Sequence, residues 1–201
     1  MNSVSLELIQ KLRDKTGVGM MDCKKALTEA NGDLDKAIEL LRKKGTVIAA
    51  KRSGHATAEG LVQAYIHPGA RVGVMIEINC ETDFVARTTD MNQFAHDVSM
   101  HIAAFKPKFL SPDQVDQATL ERERDIYREQ LIKSGKPANM VDQIVEGKLK
   151  KFYSEVCLLQ QPFVKNDQIT VDDLLKELIA KMGENIKIAR FVRFEIGETN
   201  S

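Results

Sequence analysis

Cysteine, net charge and long apolar runs are all scarce in this chain of 201 residues. The three cysteines, Cys23, Cys80 and Cys157, lie far apart, and none stands in a CxxC or Cys/His spacing. That excludes the usual sequence signatures of a zinc site or a dithiol redox centre. Cys23 and Cys157 fall at apolar positions of helical patterns, as buried reduced thiols do, and the set points to a reducing, cytoplasmic setting. Lys plus Arg and Asp plus Glu number 29 each, so the net charge is zero. Nucleic-acid binding driven by bulk charge is excluded, which leaves only a local patch. No stretch approaches the ~18–20 consecutive apolar residues of a membrane helix. The opening Met1-Asn2-Ser3-Val4 lacks the basic-then-apolar layout of a secretory signal. The expectation is a protein that binds neither membrane nor, directly, nucleic acid.

Signatures of catalysis are missing as well. There is no GxxxxGK(S/T) phosphate loop and no GxGxxG after a strand; Gly17-Val18-Gly19 is too short and follows a helical pattern. The four histidines, His55, His67, His96 and His101, lack ligand spacing, and His96 and His101 are five apart, off a shared helical face. No GxSxG or cysteine-protease context occurs. With 43% hydrophobic and 29% charged residues, the composition is that of a globular protein. It is expected to carry no catalytic residue, metal or cofactor, and to act by binding.

The patterns divide the chain into residues 1–44, a linker over 45–60, and a larger part over 61–201. The first part reads as three helices of about ten residues, each with one apolar face. Val4, Leu8, Ile9 and Leu12 stripe the first, with Ser3 as candidate N-cap; Cys23, Ala26, Leu27 and Ala30 stripe the second; Leu34, Ala37, Ile38 and Leu41 stripe the third, capped by Asp33. Lys43, Lys44, Lys51 and Arg52 read as a solvated face on a linker that is partly helical.

Residues 61–67 read as a strand, Pro68-Gly69 as a turn and 71–79 as the hairpin partner. Met91, Phe94, Ala95, Val98, Ile102 and Phe105 then stripe a helix. Ser111-Pro112 looks like a helix start, and helices follow over 117–133 (Leu120, Tyr127, Leu131 inward) and 139–155 (Met140, Ile144, Val145, Leu149, Phe152 inward). Thr170 precedes a short helix carrying Leu174, Leu175 and Leu178, and residues 186–196 read as a third strand. The fold class expected is α+β: a small all-α three-helix domain, then a core with a three-stranded antiparallel sheet covered by helices.

The stretch with most to say is Cys80-Glu81-Thr82-Asp83-Phe84-Val85-Ala86-Arg87, between the strand-like run 72–78 and the helix that starts near Asp90. Such a connection carries functional side chains readily. Taken by spacing alone, Thr82 or Asp83 caps the coming helix and Phe84 is core. The alternative is an exposed tip that offers an aromatic wedge beside a carboxylate.

Thr82-Asp83-Phe84-Val85-Ala86-Arg87 resembles the TDFVA(K/R) signature of the bacterial elongation factor Ts family. The stretch Val18-Gly19-Met20-Met21-Asp22-Cys23-Lys24-Lys25-Ala26-Leu27 resembles that family's amino-terminal signature, and Gly183-Glu184-Asn185-Ile186 with Ala189-Arg190-Phe191 its carboxy-terminal block. All three occur in family order, and the resemblance covers residues 4–198. It implies a ubiquitin-associated-like three-helix module, a short single-copy core, and a guanine-nucleotide exchange factor for the GTPase elongation factor Tu, with no enzymatic activity of its own. It further implies that Thr82, Asp83, Phe84 and Val85 disturb the Mg²⁺ and phosphate region of that GTPase, Phe84 as wedge and Asp83 as hydrogen-bond acceptor, and that Arg13, Met20 and Met21 dock the amino-terminal module. One departure stands out: the family commonly has Asn soon after the basic residue, where this chain has Thr88-Thr89-Asp90. A homodimer through the core is compatible with the single-copy form. Two rival readings are a ubiquitin-type or peptide-binding adaptor resting on residues 1–44, and a thiol enzyme using Cys80.

Overall fold

The structure, a computed structural model, describes residues 4–198. Three helices open the chain: α1 (Leu6–Thr16), α2 (Met20–Glu29) and α3 (Leu34–Arg52). The cap expected at Ser3 lies outside the described residues, and Ser5 caps α1, its side chain accepting from the Leu8 amide at 3.2 Å. Gly17, at φ 66°, ends α1 in the left-handed conformation that its missing Cβ tolerates. Asp33 caps α3 as the sequence predicts, accepting from the amides of Asp35 and Lys36. The three apolar stripes meet in one small core of Ile9, Leu12, Cys23, Ala26, Leu27, Ala30, Ala37 and Leu41.

α3 is 19 residues long, well past the ten or so its stripe predicts. The extension contains Gly45, which is buried, and where an added Cβ would sit 3.4 Å from the Ala180 Cβ. A glycine that weakens an isolated helix here permits close approach to helix α8 (Val171–Met182). The basic residues of this stretch are also less free than a solvated face implies: Lys44 pairs with Asp22, and Arg52 reaches Glu81 at 3.5 Å.

Three strands, β1 (Glu59–Ile66), β2 (Val72–Cys80) and β5 (Ile186–Glu195), form an antiparallel sheet in the order β1-β2-β5. The β1–β2 turn closes through His67 N–H to the Val72 carbonyl at 2.9 Å. β2 buries Val74, Ile76, Ile78 and Cys80 on alternate positions, the period-two pattern of a half-covered strand. After the single turn α4 (Asp83–Ala86), α5 (Thr89–Phe105) buries Met91, Phe94, Ala95, Val98 and Ile102. Phe105, read as the end of that stripe, is 45% exposed and stacks on His101 instead.

A 3₁₀ turn at Pro112–Gln114 precedes the helical hairpin α6 (Gln117–Lys133) and α7 (Ala138–Val156). The hairpin has its own core: Leu131, Val141, Val145 and Leu149, flanked by Leu120, Tyr127 and Ile144. Met140, expected inward, is 47% exposed, because Val141 takes the inner position in the first turn of α7. A small sheet of β3 (Pro162–Phe163) and β4 (Asn166–Thr170) follows, unread from the sequence. His101 holds it: Nε2 meets Gln161 Oε1 at 2.9 Å, and Nδ1 accepts from the Val164 amide at 3.2 Å.

By packing, the chain divides into two compact units. Among the described residues, one comprises 4–63, 76–96 and 173–189; the other comprises 64–75, 97–172 and 190–198.

Candidate functional site

β2 ends at Cys80, and the next seven residues form a short, heavily braced tip. Cys80 Sγ donates to the Thr82 carbonyl at 3.1 Å. Thr82 is extended (φ −129°, ψ 155°), and α4 follows as one turn of four residues. A helix that short has no stability of its own. Its geometry places two neighbouring side chains oppositely: Phe84 is 82% exposed and Val85 only 8%. Val85 and Ala86 anchor the turn inward, so Phe84 has nowhere to go but out. Spacing alone makes Phe84 a core residue; the structure corrects that reading. Asp83, half-exposed, pairs with Arg87 Nη2 at 2.9 Å across one helical turn. Exposed pairs of this kind are worth roughly 0–1 kcal/mol, so Asp83 is readily available to another donor.

Thr82 occupies the N-cap position but makes no capping bond. Its hydroxyl donates to Glu184 Oε1 at 2.7 Å and its amide to Glu184 Oε2 at 3.1 Å. The cap of the following helix is Thr88, whose hydroxyl accepts from the Met91 amide at 3.2 Å and donates to the Val85 carbonyl at 2.8 Å. The Thr-Thr-Asp sequence where the family commonly has Asn is thus able to start α5, and Asp90 adds an ion pair with Lys181 at 2.6 Å.

A second brace sits one residue earlier. The Glu81 carboxylate accepts from the Asn185 amide at 2.6 Å and faces His55 Nδ1 at 3.1 Å and Arg52 at 3.5 Å. These contacts, the Asn185 amide foremost and then His55 and Arg52, hold its carboxyl below the usual range. Asn185 is buried and donates its side-chain amide to the carbonyls of Ser53 (3.3 Å) and His55 (2.7 Å). Glu81, Glu184, Asn185, Arg52 and His55 were all missed as site residues by sequence reasoning. The signal within reach was the Gly183-Glu184-Asn185 block, whose polar pair directly precedes an apolar strand.

The docking candidates lie on the α1–α2 corner of the same unit. Arg13 is exposed in the last turn of α1. Met20 packs against the bundle core while Met21 is 65% exposed, so the adjacent pair divides between core and surface. The thiol reading loses its support: Cys80 is fully buried, and burial, with the Glu184 charge next, pushes its thiol up, away from the reactive thiolate. Among the described residues no group of His, Cys, Asp or Glu is placed to hold a metal ion, and no helix is long and apolar enough to cross a membrane.

Comparison with known proteins adds an independent line. The profile of a family described as elongation factor TS matches residues 7–198. The chain is 58% identical over 195 residues to the elongation factor Ts of Carboxydothermus hydrogenoformans, covering 97% of this chain and 90% of that protein. It is 54% identical over 198 residues to that of Desulfosudis oleivorans (98% and 100% covered). With that of Fervidobacterium nodosum it shares 51% over 195 residues (97% and 99% covered).

Proposed function

We propose, from the premise that this chain belongs to the elongation factor Ts family and so serves translation elongation, that it is the guanine-nucleotide exchange factor for elongation factor Tu. It acts as a binding protein with no catalytic residues of its own. The observation that carries the reading is Phe84, exposed at the apex of a single braced turn with the Asp83 carboxylate beside it.

A GTPase holds GDP through phosphate-loop amides and a Mg²⁺ ion that needs near-ideal octahedral oxygen geometry. An aromatic side chain wedged beside that region, with a carboxylate competing for its donors, displaces the elements on which the geometry depends. Thr82 and Val85 set the tip's shape, and Arg13, Met20 and Met21 dock the amino-terminal helices on the GTPase. The factor needs only to bind the vacant GTPase more tightly than the loaded one; linkage then makes incoming GTP expel the factor. A ~10⁴-fold shift requires about 5.5 kcal/mol of differential binding. One buried Phe and a few charge-assisted hydrogen bonds are of that order.

The test is release of a fluorescent GDP analogue from purified elongation factor Tu, by stopped flow, with and without this protein. Acceleration at catalytic amounts supports the reading; an unchanged rate overturns it, and would return attention to an adaptor role for the first three helices. We also propose pairing of two copies through the core. Ile66, Met75, Val192 and Phe194 are exposed on the strands and Ile196 directly after β5, and Ile66, Val72, Phe194 and Ile196 line a hollow of about 360 Å³. A contiguous apolar surface of this kind favours a partner of like character. Sedimentation of the wild type against Phe194→Glu reads it out.

A further inference from the structure

We infer that Glu184 is a positioning residue for the tip: its carboxylate holds Thr82 by two bonds and so presets the direction of Phe84. The inference rests on the exchange-factor reading for its consequence, but its structural content stands apart from it.

An exposed aromatic on a four-residue turn is a poor wedge unless something fixes the turn. The turn's own bonds are weak, Ala86 N–H to the Thr82 carbonyl at 3.4 Å and Arg87 N–H to the Asp83 carbonyl at 3.2 Å. Thr82 would ordinarily steady such a turn by capping it, yet its hydroxyl points elsewhere. Both of its donors go to Glu184, one to each carboxylate oxygen. A carboxylate is the side chain suited to that pair, since both of its oxygens accept, whereas an amide offers one acceptor and one donor group. Two bonds to one planar group fix direction as well as distance.

Glu184 is itself well seated. Gly183 turns the chain at φ 72° directly before it, and Asn185, directly after it, is buried and bonded to Ser53 and His55 while its amide donates to Glu81. Residues 184 and 185 therefore grip residues 82 and 81 in turn, the Glu184 side chain holding Thr82 and the Asn185 backbone N–H holding the Glu81 carboxylate, across 102 and 104 positions of sequence. With the amino-terminal helices supplying the docking contacts, presetting the tip raises the fraction of bound complexes in which Phe84 is engaged, and so the maximal release rate more than the half-saturating concentration.

The experiment compares wild type, Glu184→Gln, Glu184→Ala and Phe84→Ala as full-length proteins. Stimulated GDP release from elongation factor Tu is titrated to saturation, and amide hydrogen exchange is followed over residues 82–87 in the free protein. Glu184→Gln keeps one acceptor in an isosteric side chain and guards against a variant that fails to fold. The expected result is a maximal release rate that falls in the order wild type, Gln, Ala, about tenfold for Ala, with the half-saturating concentration changed less than about twofold. Amides 82–87 exchange faster in the same order. A merely destabilised protein would instead lower the active concentration, moving the half-saturation point and leaving the maximum alone. An unchanged maximum in Glu184→Ala, or unchanged exchange over 82–87, overturns the inference. Should the wild type itself fail to accelerate GDP release, the exchange-factor reading falls, and should Phe84→Ala match the wild type, the wedge role of Phe84 falls, while in either case the hydrogen-exchange arm still decides whether Glu184 fixes the turn.

Discussion

Phe84 and Val85 are neighbours on one helical turn with opposite surroundings, and substituting each by alanine separates function from folding. Phe84 is 82% exposed, so about a fifth of its side chain is buried in the free protein. Full burial of a Phe is worth up to ~3 kcal/mol, so truncation costs the fold roughly 0.5 kcal/mol. The remaining four fifths, about 2.4 kcal/mol, is available to the partner, which corresponds to a ~50-fold loss in stimulated GDP release. Val85 reverses the balance. It is 8% exposed, and removing its two methyl groups costs about 1.5–3 kcal/mol in lost transfer energy and cavity. For a chain of this size that lowers the melting temperature by ~3–10 °C, against ~1–2 °C for Phe84→Ala. Calorimetry and stopped-flow release on the same preparations give both numbers. If Phe84→Ala melts as early as Val85→Ala, or releases nucleotide like the wild type, the exposed-wedge argument is wrong.

Three further outcomes follow from other parts of the molecule. Met21→Ala, at an exposed position, should raise the half-saturating concentration in the exchange assay severalfold with little change in melting temperature, and an unchanged titration removes Met21 from the docking set. Gly60→Ala should destabilise by more than about 2 kcal/mol, because the new Cβ would lie 2.2 Å from the Ile78 carbonyl oxygen; a denaturant midpoint at the wild-type value refutes that. His101 is buried with its Nδ1 committed as an acceptor, and burial, partly opposed by its bond to Gln161, lowers its pKa below the ordinary value. The unfolded chain then binds the proton first, near pH 6.5, so this contribution to stability is complete above that pH and is lost as pH falls below it. Urea midpoints from pH 7.5 to 5 should decline in the wild type and decline less in His101→Phe; equal slopes refute the assignment.

The parts of the fold legible in the sequence are those whose burial is decided locally. The pattern over 117–133 predicts a helix and α6 spans Gln117–Lys133, because the Leu120, Tyr127 and Leu131 spacing meets a partner helix only a short turn away. Where a distant residue decides, the reading stops short. Gly45 looks like a weak point in α3 until Ala180 lies against it. β3 and β4 have too few residues and too many polar ones (Asn166, Asp167, Gln168) for alternation to show, and a buried histidine from α5 is what bonds to their connecting turn.

The tip follows the same rule at closer range. Periodicity around residue 84 is as consistent with a core phenylalanine as with a wedge, and only the inward commitment of Val85 and Ala86 forces Phe84 outward. The resemblance to elongation factor Ts singles out Thr82 and Asp83-Phe84 together, yet spacing misreads what Thr82 does. It sits where a capping threonine would, and its hydroxyl serves Glu184 instead. No local pattern could carry that, since the acceptor is 102 residues away. What local sequence does show is a second polar pair, Glu184-Asn185, placed where an apolar strand is about to begin. A carboxylate and an amide at such a boundary have to satisfy their hydrogen bonds somewhere: the Glu184 carboxylate does so on Thr82, the buried Asn185 side chain on the Ser53 and His55 carbonyls, and the Asn185 backbone N–H on the Glu81 carboxylate.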